Sequence, residues 1–174
     1  MNTDQIERVI ARDPATAKIF RGVYPRDDFI LLDTDNATDQ LFICNLDNCS
    51  EPGSHWIVIE QHQKDVFYFD SFGLPPIHPD LTSKLIDMTR SNITWNKTQL
   101  QDNTNVCGQY CIIYCLLRAR KFSFEDIVNT LHHNDQLSNH LRDHVVATII
   151  NQRFGTLLPN RTHNIHDINS FITP

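Results

Sequence analysis

The chain has 174 residues and a mass of 20.2 kDa, enough for one domain with a buried core and too little for two of ordinary size. With 40% hydrophobic residues, 21% charged residues, 5 Gly and 8 Pro, the composition excludes disordered and fibrous classes. A net charge of -6 argues against a domain that wraps nucleic acid, because such binding needs Lys and Arg to neutralise phosphates.

In chain order, residues 4–12 read as a short helix after Thr3, and a second helix is expected from Asp13, with Pro14 in its first turn, to Gly22. FILLDT (29–34), QLFICNL (40–46), HWIVIE (55–60) and DVFYFD (65–70) are short, rich in branched and aromatic residues and separated by polar turns, so they read as strands. Only residues 61–64 join the last two, a hairpin length that brings His55 and Asp70 to the same edge of the sheet. A helix over 80–89 and a strand within 92–99 follow. Three more helices are expected: about 107–120, 124–133 behind a Ser123/Asp126 capping box, and a longer one capped by Asp135 and ending before Gly155. Residues 156–174 show no period and read as irregular. Strands followed by helices, without repeats or linkers, predict a single α+β domain over 1–174.

No apolar run approaches the ~20 residues that cross a bilayer, and MNTDQIERVI does not read as a signal peptide. A reducing compartment is therefore expected, in which the five cysteines are free thiols and the N-x-S/T sequons carry no glycan. Arg118, Arg120 and Lys121 form a local basic strip with two readings, a nucleic-acid contact or, favoured, the last turn of a predicted helix, where cations complement the helix dipole.

The chemistry centres on QDNTNVCGQYCIIYCLL, which puts Cys107 at the start of an apolar helical run, where N–H groups and the helix dipole favour a thiolate. The Cys107 N–H can donate to an oxyanion, and Gly108 leaves room for a substrate backbone. Cys111 and Cys115 continue at four-residue spacing among apolar neighbours and read as core. Three thiols along one straight helix cannot converge on a zinc ion, so no metal site is expected. His55 stands at a strand mouth and Asp70 at the end of an apolar strand. Taken singly, each has an ordinary structural reading: a buried small hydrophobe for Cys107, a loop residue for His55 or Gln101, a turn cap for Asp70. Together they supply a nucleophile, a base, a carboxylate to orient the base and an oxyanion donor, as thiol catalysis requires.

The motifs G-S-H-W (53–56), F-D-S-F-G (69–73), Gln101 six residues before the cysteine, and C-G-Q-Y (107–110), with F-R-G-V-Y (20–24), resemble the adenovirus-type maturation proteases, including those of virophages and Polinton or Maverick elements. These share a broad papain-like fold with SUMO-deconjugating proteases. The resemblance covers about Phe20 to Cys115. It implies a mixed, mainly antiparallel sheet packed against helices, with the nucleophile at a helix N-terminus. It further implies catalytic Cys107, His55, Asp70 and Gln101, Trp56 as a wall of a narrow cleft, and cleavage of viral precursor proteins such as capsid proteins beside glycine. The expected location is the virion and the host-cell interior. Adenoviral members carry Glu where this chain has Asp70, as the SUMO proteases do, and either carboxylate can hold an imidazole. Asn92-Ile93-Thr94 stands where those enzymes carry a cysteine that bonds an activating peptide, so the resemblance leaves room for a peptide activator, but not for one linked through a disulfide. The acidic net charge argues against DNA as a cofactor. No other cofactor and no membrane partner are implied, and a monomer is expected. The rival readings are a deconjugase for ubiquitin-like modifiers and an inactive protease-fold binding module.

Overall fold

A computed structural model describes residues 1–34, 39–89, 91–132 and 138–154. The elements run α1 (Thr3–Ala11), α2 (Pro14–Ala17), β1 (Phe20–Pro25), α3 (Arg26–Leu31), β2 (Gln40–Asn45), β3 (Trp56–His62), β4 (Asp65–Phe69), α4 (Pro79–Met88), β5 (Thr94–Trp95), α5 (Cys107–Ala119), α6 (Phe124–His132) and α7 (Asn139–Phe154). The strands form one mixed sheet in the order β1-β2-β3-β4-β5. The pairs β2/β3 and β3/β4 are antiparallel, while the outer pairs β1/β2 and β4/β5 are parallel. The chain thus has the expected α+β fold, with a mixed sheet packed against helices.

Both faces of the sheet are covered, which explains why β2 and most of β3 are buried without interruption. Alternate residues serve opposite cores. Leu41, Ile43, Trp56, Val58 and Phe69 pack with α1, α5, α6 and α7, whereas Phe42, Cys44, Ile57, Ile59 and Tyr68 meet Phe29 of α3 and Leu81, Leu85 and Met88 of α4. Burying each large aliphatic side chain contributes about 1.5–3 kcal/mol relative to leaving it in water. Helix α5 lies in the first core and is buried from Cys107 through Leu117.

Two expected elements are corrected. The helix expected from Asp13 to Gly22 ends at Ala17, and Phe20–Pro25 is a strand instead. Phe20, Val23 and Tyr24 suit a pleated surface, and β1 finds its pairing in β2, a partner that the local sequence does not reveal. FILLDT is not a strand: Arg26–Leu31 is helical, with Pro25 at the N-cap and Asp27 and Asp28 in the first turn. Because β1 and β2 are parallel, a tight turn cannot join them, and α3 occupies the crossover. The strand expected within 92–99 shortens to Thr94–Trp95. Asn2 rather than Thr3 caps α1, in a reciprocal pair with Gln5. The Ser123/Asp126 box is present, with Asp126 N–H donating to Ser123 Oγ at 3.0 Å. Asp135, Gly155 and the 156–174 tail lie outside the described residues, as does His133.

The basic end of α5 is engaged internally: Arg118 Nε donates to Glu60 at 2.5 Å and Arg120 Nη2 to Asp13 at 2.9 Å. No helix of the described residues is long and apolar enough to cross a membrane.

Candidate active site

The β3–β4 hairpin and the start of α5 build the site together. His55 immediately precedes β3 and Asp70 immediately follows β4, so the antiparallel pairing places them side by side, with His55 Nε2 donating to Asp70 Oδ1 at 2.8 Å. With Nε2 committed, Nδ1 is the ring nitrogen left for Cys107, whose thiol shares a hydrogen bond with the imidazole. His55 is 12% exposed and Asp70 1%, so the pair is shielded from water on the carboxylate side.

Asp70 is held from several directions. Its Oδ1 also accepts the Phe72 N–H at 2.8 Å, and the Phe72 ring lies 4.8 Å from the His55 ring, capping the imidazole. The Asn96 side chain brackets the Asp70 backbone, its Oδ1 accepting from Asp70 N and its Nδ2 donating to Asp70 O. Gly73 completes the turn at φ +73°, and a Cβ there would stand 2.7 Å from the Thr98 carbonyl carbon. Only glycine lets the 98–99 segment approach the acid turn so closely.

That segment leads to Gln101, which is fully buried. Its backbone N–H donates to Ser71 O at 2.9 Å, and its Oε1 accepts from Ser71 Oγ at 2.6 Å, which fixes the amide's orientation. Its Nε2 donates to Thr104 O at 2.5 Å, and the second hydrogen on that nitrogen is left for another acceptor. Asp143 of α7 anchors the same loop, accepting from Asp102 N at 3.0 Å, Thr104 Oγ1 at 2.5 Å and Tyr110 Oη at 2.9 Å. The roles of Asn96, Ser71 and Asp143 escape sequence reading, because their partners are remote along the chain.

Cys107 is the first residue of α5 and is 8% exposed. Burial opposes ionisation of its thiol, but the hydrogen bond from His55, the N–H groups of Trp56 and Gly108 and the imidazolium charge outweigh it, and its pKa lies below the ordinary value. Burial likewise opposes charge on His55, yet Asp70 and Cys107 push its pKa up to about 9. The two shifts favour a thiolate–imidazolium pair. Cys111 and Cys115, on the same helix, behave oppositely: burial first, with neighbouring negative charge adding to it, drives their thiols well above the ordinary range. The N–H of Cys107 stands at the first helical position, where no carbonyl of its own helix can meet it.

Trp56 and Gly108 have additional neighbours. The Trp56 indole N–H donates to Met1 O at 3.1 Å, and its side chain both joins the core and lines a cavity beside α1. Gly108 is buried, and a Cβ on it would meet Met1 Cβ at 3.2 Å and Ile6 at 3.5 Å. The room at Gly108 is filled by α1 in this structure, and its N–H serves the Cys107 sulfur.

No protein-family model matches the chain, and no curated protein matches it. Solved structures share its fold, among them two of one viral protease. The crystal structure of the ASFV pS273R protease aligns at a TM-score of 0.54 with 17% identity, covering 83% of this chain and 66% of that one. The selenomethionine form of the same protease aligns at a TM-score of 0.50 with the same identity and coverage. The chain therefore spans slightly less than two thirds of the length of the protease whose fold it shares.

Proposed function

We propose that this chain is a cysteine endopeptidase with Cys107 as nucleophile, His55 as proton carrier, Asp70 as orienting carboxylate, and Gln101 with the Cys107 N–H as oxyanion donors. One observation carries the reading: a single imidazole bridges a buried carboxylate at 2.8 Å and the thiol of a helix-initial cysteine whose pKa is lowered. A Cys–His contact that serves packing alone has no use for that third group, whereas a catalytic imidazole is characteristically oriented by one.

In this mechanism the thiolate forms a C–S bond to the scissile carbonyl carbon, and the carbonyl electron pair moves onto oxygen, facing the Gln101 amide and the Cys107 N–H. The imidazolium gives its proton to the leaving nitrogen as the C–N bond breaks, leaving a thioester and neutral His55. His55 then takes a proton from water, the hydroxide adds to the thioester, and collapse releases the carboxylic acid product and the thiolate. Asp70 keeps Nε2 occupied throughout, so Nδ1 always faces the sulfur.

Within this reading the substrates are viral precursor proteins, cut beside glycine during particle maturation by an adenain-like enzyme. The motif set around His55, Asp70 and Cys107 and the fold shared with the ASFV pS273R protease support it. The experiment is incubation of wild type and Cys107→Ala with glycine-containing virion precursors and mapping of new termini. Cuts beside glycine by wild type alone are expected; full activity of Cys107→Ala would refute the assignment. Covalent labelling of Cys107 by a ubiquitin or SUMO warhead, without precursor cleavage, would move the substrate class to modifier conjugates.

A further inference from the structure

The parallel pairing of β4 with β5 ends at Tyr68 and Trp95, just before Asp70 and Asn96. Beyond that point the Asn96 side chain takes the place of a backbone partner. Its Oδ1 accepts the Asp70 N–H at 2.8 Å and its Nδ2 donates to the Asp70 carbonyl at 2.6 Å, while the second hydrogen on Nδ2 meets Thr98 O at 3.2 Å. Asn96 is only 3% exposed, and its amide oxygen and both amide hydrogens are engaged in these three bonds.

Two parts of the site hang from the backbone that Asn96 grips. On one side is the Asp70 carboxylate, whose Oδ1 receives His55 Nε2 and the Phe72 N–H. On the other is Ser71, whose carbonyl accepts the N–H groups of Leu100 at 2.8 Å and Gln101 at 2.9 Å and whose hydroxyl donates to the Gln101 amide. Thr98, the third acceptor, begins the segment that runs to Gln101, and its carbonyl carbon is the atom that leaves no room for a side chain at Gly73. An aliphatic residue at position 96 would fill the space but leave a buried N–H and a buried C=O of Asp70 unpaired.

From this geometry we infer that Asn96 is a positioning residue for the reaction: by pairing with the N–H and C=O of Asp70 and with Thr98 O, it holds the carboxylate that orients His55 and the segment that carries Gln101 as one unit. The inference rests on the proteolytic reading of Cys107. It adds to that reading a residue that acts through Asp70 and Gln101 without touching the substrate.

The test compares Asn96→Ala with Asn96→Asp by steady-state kinetics on a cleaved peptide, NMR titration of the His55 imidazole and thermal melts. In Asn96→Ala, kcat should fall by about 10- to 100-fold with little change in KM. The His55 pKa should drop from about 9 toward 6.5 as the carboxylate loses its fixed place beside the imidazole. Asn96→Asp keeps the acceptor for the Asp70 N–H but turns a second oxygen toward the carbonyls of Asp70 and Thr98. That oxygen is repelled while the new carboxyl is ionised and donates to Asp70 O once protonated, and burial raises the pH at which it takes up its proton. The kcat of Asn96→Asp should therefore overtake that of Asn96→Ala as pH falls from about 8 to about 5.

A residue that only stabilises the fold would lower Tm in both variants yet leave kcat and the His55 pKa, measured well below the melt, as they are in wild type. That result would overturn the inference, as would an Asn96→Asp variant that gains nothing on Asn96→Ala at low pH. Should Asn96→Ala fail to stay folded, Asn96→Asp decides alone: its kcat relative to wild type climbs as pH falls, or stays level and refutes the role. The imidazole titration needs no substrate, so the two readings separate. A wild type that cuts no peptide, while the His55 pKa still drops in Asn96→Ala, refutes the protease and keeps the clamp; a wild type that cuts, with kcat and His55 pKa unchanged in Asn96→Ala, refutes the role of Asn96 alone.

Discussion

Asp143 offers a test of how the oxyanion loop is held, since it touches neither the nucleophile nor the base. Its two oxygens collect three donors from the 102–110 region, and Gln101, the proposed oxyanion donor, leans on the carbonyl of Thr104 in that same loop. In Asp143→Ala the Tyr110 hydroxyl keeps Leu100 O as its acceptor at 3.0 Å, while the Asp102 N–H and the Thr104 hydroxyl lose theirs. Both residues are partly exposed, so water replaces some of the loss, and the stability cost should be about 1–3 kcal/mol. Removing an oxyanion donor outright lowers kcat by roughly 100- to 1,000-fold, so loosening one should lower it by about 10- to 100-fold with little change in KM. Asp143→Asn should behave differently. The Tyr110 hydroxyl has one hydrogen, which can turn to Leu100 O while its oxygen accepts from the new amide nitrogen, and the remaining amide oxygen still serves Asp102 and Thr104. Steady-state kinetics on a cleaved peptide, with thermal melts alongside, would show kcat falling in the Ala variant and largely retained in the Asn variant. An unchanged kcat in Asp143→Ala, or an Asn variant as impaired as the Ala variant, would refute this account of the loop.

Two further outcomes follow from the acid turn. Gly73→Ala forces a side chain into left-handed backbone with its Cβ 2.7 Å from the Thr98 carbonyl carbon, so it should cost about 3 kcal/mol and lower Tm by roughly 6–12 °C in a melting experiment. Asp70→Asn should reduce kcat/KM by about 100- to 10,000-fold and drop the His55 pKa from about 9 toward or below its ordinary 6.5, as read by NMR titration of the imidazole. The sign of the linked stability is fixed by the direction of that shift. Because His55 is raised in the folded state, its contribution is complete below about pH 6.5 and is lost as pH rises through about 9, so urea melts should show this alkaline loss in wild type and not in Asp70→Asn. An alkaline loss of equal size in the variant would contradict the pairing.

The parts of the fold legible in the sequence are those fixed by local chemistry. The short polar connection after β3, which the structure tightens to Gln63 and Lys64, dictates the β3–β4 hairpin and hence the meeting of His55 with Asp70, and the change from polar to apolar sequence at Cys107 marks the start of α5. Strand β1 and helix α3 are not legible locally, because a parallel crossover, a non-local constraint, decides both. The supports of the site were hidden for the same reason. Asn96 reaches Asp70 across 26 residues, Ser71 reaches Gln101 across 30, and Asp143 reaches Thr104 across 39, distances over which no residue pattern signals a contact. Met1 packing beside Gly108 was equally invisible, since that contact depends on how α1 docks against α5.

Whether Cys107 is an activated thiolate is decided by competitive alkylation of the native protein. At pH 6–7, limiting iodoacetamide followed by peptide mass spectrometry ranks the thiols by rate. Accessibility alone favours Cys49, which is exposed, over Cys107, which is buried. Ionisation favours the reverse, because a hydrogen bond to Asp27 raises the Cys49 pKa while His55 and two backbone N–H groups lower that of Cys107 against its burial. Modification of Cys107 ahead of Cys49 in wild type, with the order reversed in His55→Ala, is the predicted result; Cys49 reacting first in wild type would contradict it.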